Sequence, residues 1–381
     1  MFDAAEIGKS SFAACADAER LMLVNRQIAY ARSRSPYYRG SLPAAPLCSL
    51  ADLAALPFTD AETIRREGRR LVCVSAGEVA RIVSLATSGS TGSPKRLYFT
   101  GGDLARTVRF FSEGMAWLCA PGDTCAVGMP CAAPNGIGDL LCRGLAAIGV
   151  RPLPIGVPED FAKAKEILKN KHPQVLVGFP WHLRLLALTC PELRPRAVLL
   201  SGDYAPPGLK TLLADLWQTT VTEHFGMTET GYGCAVQHPA RPELYLRRDE
   251  LIAEVVDPQT GIPLPTGEVG ELVLTTLRRE AMPLLRCRTG DLAALTPEGN
   301  LAGIYGRRAV PAEVYRLQDA LAPLPWLWDY RAEAGTLTAF LSPDAPPEAA
   351  QILSAAAPGR QIVLHTLAPE DAAPVSVGKR I

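Results

Sequence analysis

Long apolar runs, paired cysteines and net charge are all missing from this sequence. No window offers about 20 uninterrupted apolar residues, so no membrane span is expected. The 39 acidic and 39 basic residues cancel, which removes the electrostatic case for nucleic acid or an anionic membrane as partner. The ten cysteines contain no C-x-x-C pair. They are expected to be mostly buried thiols in a reducing cytosol, not a disulfide framework. The opening "MFDAAEIGKSSF" has no basic segment leading into an apolar run. A secretory signal is therefore not expected, and a cytoplasmic location is. The nucleophile elbow G-x-S-x-G does not occur, and the serine of "LLSGDY" lacks an elbow around it, so a Ser-His-Asp hydrolase is disfavoured. There is no internal repeat and no low-complexity segment.

What is present is the composition of a globular protein, 48% hydrophobic and 20% charged. At 381 residues the chain is too long for one typical core, so at least two domains are expected. Residues 17 to 33 have helical periodicity, with Leu21, Leu23, Val24, Ile28 and Ala31 near one face, and "SPYY" breaks that helix. "RIVSLA" reads as a buried strand feeding a glycine loop, and "LARTVRFFSEGMAWLC" as the helix after it. An alternation follows: "TCAVGM", "QVLVGF", "RAVLLSG" and "TVTEHFG" as strands, with "IGDLLCRGLAAIG", "PEDFAKAKEILKN", "WHLRLLALT" and "PGLKTLLADLW" as helices. Repeated βα units imply an α/β domain with a largely parallel sheet. Ligands of such sheets bind beyond the carboxyl ends of the strands. From about residue 245 to 307 the texture becomes β-rich, with "LIAEVVD", "GELVLTTL" and a hairpin over "DLAALTPEGNLAGIYG". "LWDYRA" and "LTAFLS" then read as strands and "PEAAQILSAAA" as a helix. The expected architecture is a large α/β N-terminal domain, residues 1–307, of layered mostly parallel sheets and helices plus the β-rich portion. A small, shortened α+β C-terminal domain, 308–381, carries Lys379.

Four stretches carry candidate chemistry: "TSGSTGSPK" (87–95), "HFGMTETGYG" (224–233), "RTGDL" (288–292) and "VGKR" (377–380). The first does not fit the P-loop spacing G-x-x-x-x-G-K-[ST]. It either serves another kind of nucleotide enzyme or is an ordinary polar turn. A glycine-rich loop can wrap phosphate oxygens with backbone N–H groups, and Ser88, Ser90 and Thr91 add hydroxyl donors. Lys95 supplies positive charge. Glu229 beside Thr228 offers hard oxygens suited to Mg²⁺. Asp291, read as lying in a turn after a strand, can accept hydrogen bonds from a ribose diol. Lys379 could bring a cation to charge developing at an α-phosphate. Each piece alone also has an ordinary reading: polar loop, solvated turn, β-turn, frayed terminus. Their combination and order distinguish them.

Taken together, these stretches resemble the adenylate-forming superfamily of acyl-CoA synthetases, in its phenylacetate–CoA ligase-like branch. "SPYYR" with "LAALPFTDAETIR" is similar to that branch's N-terminal segment. "TSGSTGSPKRLYFTGGDL" resembles its phosphate loop, downstream Thr100 and Asp103 included. "HFGMTETGYG" resembles the motif holding adenine, Mg²⁺ and the carboxylate substrate, and "DPQTGIPLPTGEVGELVLTTLRREAMPLLRCRTGDL" matches most closely. The likeness is good over residues 17 to 308 and poor in the tail. It implies that a carboxylic acid, aryl or arylacetic, reacts with ATP to give an acyl-adenylate and pyrophosphate. The acyl group then passes to a thiol, usually that of CoA. The resemblance implies that Ser88, Gly89, Ser90, Thr91, Gly92 and Lys95 hold the outer phosphates. Asp203, where the family usually has Glu, lies beside adenine. His224, Phe225, Gly226 and Met227 line the nucleotide site, with Phe225 where Tyr is commoner. Thr228 contacts the α-phosphate and Glu229 the Mg²⁺. Asp291 and Arg307 hold the ribose, and Lys379 contacts the acyl-phosphate oxygens. A homodimer is compatible with the resemblance.

The departures matter equally. "GRRAVPAEVY" lacks the acidic residues of the family's hinge motif and is shortened. In the family the small domain rotates about that hinge between half-reactions, so the second half-reaction is the open one. Two alternatives follow: delivery to a carrier-protein thiol or an amine, or a nucleotide-binding homologue without catalysis. Some relatives bind a structural metal here. Cys234 and His238, spaced i, i+4, are two ligands only, too few for a zinc site. They read as a small core residue and a surface residue. His172 reads as a loop residue, His365 as a strand residue, and His182 as a packing residue near the expected acyl pocket. Phe179, Trp181 and Tyr232 fit an aromatic acid or core packing equally well.

Overall fold

The structure is a computed structural model, and it describes residues 10–12, 16–85, 94–157 and 161–375. Ser88, Gly89, Ser90, Thr91, Gly92 and Lys379 lie outside the described residues. The chain divides into two compact units, one of Met1–Gly114 with Phe225–Ala309 and one of Met115–His224 with Val310–Ile381.

The first unit opens with helix α1 (Asp17–Arg34). Asp17 and Glu19 stand in its first turn and Arg32 and Arg34 in its last, each sign matching the helix dipole. The buried face holds Leu23, Val24, Ile28 and Ala31 as the periodicity requires, but also Gln27. Gln27 Nε2 donates to the Arg279 carbonyl at 2.9 Å, which explains a polar residue there. Helices α2 (Tyr38–Ser41) and α3 (Ala61–Glu67) precede strands β1 (Val79–Leu85) and β2 (Lys95–Thr100). The "RIVSLA" strand exists but is not buried. It pairs only with β2, in a two-stranded antiparallel sheet, and its residues alternate half-buried and exposed. With one neighbour and one covered face it need not be apolar throughout. The glycine loop thus joins two antiparallel strands, Leu85 opposite Lys95. Helix α4 (Gly101–Met115) follows.

The second unit contains β3 (Thr124–Gly128), α5 (Ile137–Ala147), β4 (Arg151–Pro154), α6 (Phe161–Lys171), β5 (Val175–Gly178), α7 (Pro180–Thr189), β6 (Ala197–Ser201), α8 (Pro207–Trp217) and β7 (Thr220–Phe225). Within it the strands are parallel, in the order β7–β6–β5–β3–β4. The βα alternation therefore gives the expected parallel sheet. β4 was not expected from sequence. Two prolines in "RPLP" argue against a strand, and it is tolerated because it lies at the edge.

The chain returns to the first unit in β8 (Ala235–Gln237), β9 (Leu244–Leu246), β10 (Leu251–Val256), β11 (Gly270–Thr276), β12 (Cys287–Leu295) and β13 (Leu301–Arg307). These pair antiparallel in the order β10–β11–β12–β13–β9–β8. Leu244, Leu246, Leu251, Leu272, Leu274 and Leu301 form their core.

The C-terminal part comprises α9 (Ala312–Leu321), β14 (Leu327–Glu333), β15 (Thr336–Leu341), α10 (Ala349–Ala356) and β16 (Gln361–Thr366). It builds a three-stranded sheet, β14–β15–β16, the last pair parallel. One change of unit falls at Ala309/Val310, but Val310–Ile381 belongs with Met115–His224. The reason is a shared core. Leu317, Leu321, Leu327 and Leu353 pack in one cluster with Leu176, Leu186, Leu209, Leu213 and Trp217. Arg184, fully buried on α7, adds a polar stitch. It donates to the carbonyls of Ala322 (2.8 Å), Leu324 (2.6 Å), Leu327 (2.7 Å) and Trp328 (3.2 Å). Among the described residues no helix is long and apolar enough to cross a membrane.

Candidate active site

In the first unit, two residues that the sequence placed in separate motifs meet. Lys95, the first residue of β2, forms an ion pair with Glu229, 134 residues away. Both side chains are mostly buried, at 16% and 10% exposure, so the pair is better shielded from salt than a surface one. Glu229 sits in a single 3₁₀ turn, Thr228–Thr230. Arg279 Nη2 holds the Glu229 carbonyl at 3.0 Å, and Thr107 Oγ1 holds the Gly231 carbonyl at 2.8 Å.

The glycines of "TETGYG" have specific causes. Gly231 has φ +82°, and a Cβ there would lie 3.0 Å from Thr107 Oγ1 and 3.1 Å from Arg279 Nη2. A Cβ on Gly233 would fall 2.4 Å from the Phe110 ring. Tyr232 stacks on Phe99 with ring centroids 6.0 Å apart and accepts from Arg81 Nε at 3.2 Å. The turn is therefore rigid, and the Glu229 carboxylate is preorganised.

Thr100 and Asp103 act one layer behind. Asp103, 3% exposed, accepts from the backbone N–H of Thr100 (3.0 Å), Glu280 (2.9 Å) and Ala281 (3.0 Å) and from Arg106 Nη2 (2.7 Å). Burial alone would raise its pKa. The Arg279 and Arg106 guanidiniums and these N–H donors outweigh that and hold it below the ordinary carboxylate range. Thr100 Oγ1 donates to Glu280 at 2.7 Å, and Arg106 reaches Glu280 at 3.1 Å and Glu250 at 3.4 Å. A Cβ on Gly102 would meet Glu280 Oε1 at 2.7 Å, so glycine is required there for this network. Sequence reasoning missed Arg279 and Glu280. The signal was "LRRE", a charged run continuing straight from an apolar strand.

Asp291 does not lie in a turn after a strand. It is within β12, directly opposite Arg307 of β13, and Arg307 Nε reaches its carboxylate at 3.1 Å. The turn-like "TGD" is a local distortion: Gly290 has φ +76°, and Thr289 Oγ1 accepts from the Asp291 N–H at 3.0 Å. The expected ribose-holding residues are thus brought together by strand register. Phe225, Gly226 and Met227, half-buried, lead from β7 into the Glu229 turn, and the Phe225 carbonyl accepts from the Cys234 N–H at 3.0 Å.

Asp203 and His224 belong to the second unit. Asp203 follows β6 and Gly202, whose φ is +87°, and accepts from the Tyr204 N–H at 2.8 Å. A Cβ on Gly202 would lie 2.6 Å from the Phe179 ring. His224, on β7, has Nδ1 2.9 Å from Ser201 Oγ of β6. Burial pushes its pKa down to about 4, so the ring is neutral at pH 7. Trp181 is taken up by the core, with Nε1 donating to Gln318 Oε1 at 3.1 Å and its ring 5.1 Å from Tyr330. His182, 7% exposed, packs edge-on to Phe179 at 5.5 Å. Cys234 is buried with its sulfur 2.8 Å from Thr230 Oγ1, and His238 Nδ1 accepts from the Ala240 N–H at 3.2 Å. Among the described residues no three His, Cys, Asp or Glu side chains gather as a metal site.

Comparison with known proteins agrees with the motif reading. The AMP-binding enzyme family profile matches residues 66–277. A phenylacetate–coenzyme A ligase of Thermus thermophilus is 34% identical over 310 residues, covering 74% of this chain and 66% of that protein. One of Pseudomonas putida is 27% identical over 270 residues, 66% of this chain and 59% of that protein. The chain thus spans less than two thirds of the length of these relatives. Among solved structures, a 2-hydroxyisobutyryl-CoA ligase in the postadenylation state shares the fold at TM-score 0.78 and 19% identity, over 96% of this chain and 88% of that one. An amide bond synthetase of Marinactinospora thermotolerans does so at TM-score 0.52 and 17% identity, over 80% and 68%. The chain belongs to the AMP-binding enzyme family, in the branch similar to phenylacetate–CoA ligases.

Proposed function

We propose that this protein activates a carboxylic acid with ATP, releasing pyrophosphate, and passes the acyl group to the thiol of CoA. The observation that carries the reading is the Lys95–Glu229 pair on its rigid turn. In the first half-reaction a carboxylate oxygen attacks the α-phosphorus, and the bond from that phosphorus to the bridging oxygen of pyrophosphate breaks. In the second, the thiol sulfur attacks the acyl carbon, AMP leaves and one proton is released. Lys95 lies at the end of the Ser88–Gly92 loop, where an ammonium stabilises charge on the departing pyrophosphate. One carboxylate, supplemented by substrate phosphates and water, is an ordinary Mg²⁺ environment, and Glu229 already faces a cation. Glu229 would hold the metal, which supplies Lewis-acid stabilisation of phosphate charge. Asp291 and Arg307 would orient the ribose, Asp203 and His224 the adenine, and Thr228 the α-phosphate. Lys379 would contact the acyl-phosphate oxygens. Residues 1–307 act as the adenylation domain and 308–381 as its C-terminal complement. The acid is aryl or arylacetic, and the enzyme works in the cytoplasm.

Pyrophosphate exchange against a panel of aryl and arylacetic acids, with and without CoA, tests this. Lys95→Ala and Glu229→Gln should each lower exchange about 100-fold, one positioned charge being worth ~3 kcal/mol there. No exchange with any acid would overturn the proposal.

A second reading keeps adenylation and changes the acceptor to a carrier-protein thiol or an amine. Only residues 308–311 separate β13 from α9, and α9 shares a core with α7 and α8, which favours a C-terminal part fixed to its own unit. Rapid formation of a CoA thioester would exclude this second reading.

A further inference from the structure

The two members of the Lys95–Glu229 pair are unequally free to move. Glu229 is fixed through its backbone. Arg279 Nη2 holds its carbonyl at 3.0 Å, and Thr107 Oγ1 holds that of Gly231 at 2.8 Å. Inside the turn the Met227 carbonyl accepts from the N–H groups of Thr230 at 3.2 Å and Tyr232 at 2.9 Å. Arg279 is anchored in turn, its guanidinium 4.8 Å over the Phe99 ring and its carbonyl accepting from Gln27 Nε2 at 2.9 Å. Lys95 differs. It opens β2, and Leu85–Lys95 is the end pair of the β1–β2 ladder. Its ammonium rides on a flexible four-carbon stem. Among the described residues, Lys95 is the one cationic side chain within 4.0 Å of the Glu229 carboxylate, and Glu229 the one carboxylate within 4.0 Å of Lys95 Nζ.

A pair so placed sets up a competition. A divalent cation at Glu229 would stand beside the ammonium, and like charges at one carboxylate repel. Partial burial of both side chains weakens the screening that would relieve this. A polyphosphate alone meets the converse difficulty. Drawing Lys95 away leaves the Glu229 charge mostly buried and uncompensated. Arriving together, the two ligands remove both difficulties: the metal takes the carboxylate, and the phosphates take the ammonium. Because the turn is pinned, Lys95 is the partner that moves.

We propose that Lys95 is a positioning residue that guards the Glu229 carboxylate, so that a divalent cation and the triphosphate of ATP bind strongly only together. This rests on the adenylation reading above and adds to it a coupling between metal and nucleotide. As an equilibrium coupling it is reciprocal: each ligand must raise the affinity for the other by the same factor.

The test uses the full chain. Mn²⁺, followed by its electron paramagnetic resonance signal, probes the metal site. α,β-Methylene-ATP, which cannot release pyrophosphate, probes the phosphate site. In the unsubstituted chain each should tighten the other about 10-fold or more, after allowance for Mn²⁺ binding to the free nucleotide. Lys95→Met should bind Mn²⁺ alone about 10-fold more tightly and lose most of the coupling. Lys95→Arg, which keeps a cation, should stay weak for Mn²⁺ alone. Adding Glu229→Gln to Lys95→Met should abolish the gain, which locates the metal at Glu229. The coupling in the unsubstituted chain decides the matter even where Lys95→Met does not fold. Absence of that coupling, or equal Mn²⁺ affinity in the unsubstituted chain and a folded Lys95→Met, would overturn the inference. Pyrophosphate exchange that persists in either case leaves the adenylation reading standing without it, whereas no exchange with any acid removes the reading itself.

Discussion

Asp103 in the first unit and Arg184 in the second are charges buried to 3% and 0% exposure, and their surroundings differ in kind. Asp103 accepts from three backbone N–H groups and lies among Arg106, Arg279 and Glu280, a network of paired charges. Arg184 meets carbonyl oxygens of residues 322 to 328 and the face of Trp181, 5.1 Å away. Burial lowers its pKa to about 9. The first arrangement fixes the layer behind a candidate active site through electrostatics. The second sutures a C-terminal segment to a helix through hydrogen bonds that do not depend on a titrating partner. Removing one partner of either leaves buried groups unsatisfied, which is costlier than the net worth of the bonds.

The largest effect should come from breaking the carbonyl suture. Arg184→Ala strands four carbonyls at about 1 kcal/mol each, so a loss of about 4 kcal/mol is expected in urea unfolding. Arg184→Met restores apolar volume but not the bonds, and should recover little. Full recovery by Met would mean that packing, not hydrogen bonding, holds the segment. Next, Asp103→Asn should cost about 3 kcal/mol, because two guanidiniums lose their buried counter-charge.

The two sites should also part company with pH. Asp103 has a folded pKa below its unfolded one, so its stabilisation is present above the ordinary carboxylate range near ~4 and is lost as pH falls through the folded value. The urea midpoint of the unsubstituted protein should therefore drop below about pH 4, and Asp103→Asn should flatten that drop. Arg184 is protonated in folded and unfolded chains throughout that range, so its variants should keep a constant deficit. Equal flattening by both substitutions would contradict the distinction.

Smaller effects come from the edges of the suture. Trp181→Phe removes one buried bond to Gln318 and should cost about 1 kcal/mol. Tyr204→Phe, losing only a bond at 2.9 Å to the exposed Asp319 carboxylate, should stay within about 0.5 kcal/mol.

The same contrast shows which features were legible in the chain. Strands β3, β5, β6 and β7 and helices α5 to α8 announce themselves, because each must bury a face and its apolar period says which. The strand β4 was hidden by its prolines, and α9 by its place in a shortened hinge motif. "RIVSLA" reads as buried yet alternates half-buried and exposed, because an apolar run does not reveal how many neighbours a strand will have. Asp291 reads as a turn residue because "TGD" is common in turns, whereas here a positive φ at Gly290 sits inside a strand. Lys95 and Glu229 stand in separate motifs, and only folding shows that they meet.

The sequence by itself determined the βα alternation, the β-rich stretch after residue 245 and the ordered motifs that place the chain among AMP-binding enzymes. These are local matters of period, turn chemistry and motif order. Tertiary structure decided that Val310–Ile381 shares a core with Met115–His224, and that the buried Arg184 is answered by carbonyls. It also set Asp291 against Arg307 through strand register. Partners 138 residues apart, as Arg184 and Ala322 are, leave no periodic trace. Their meeting is fixed only when whole elements pack, because desolvation then obliges each buried polar group to find whatever partner the fold has brought near.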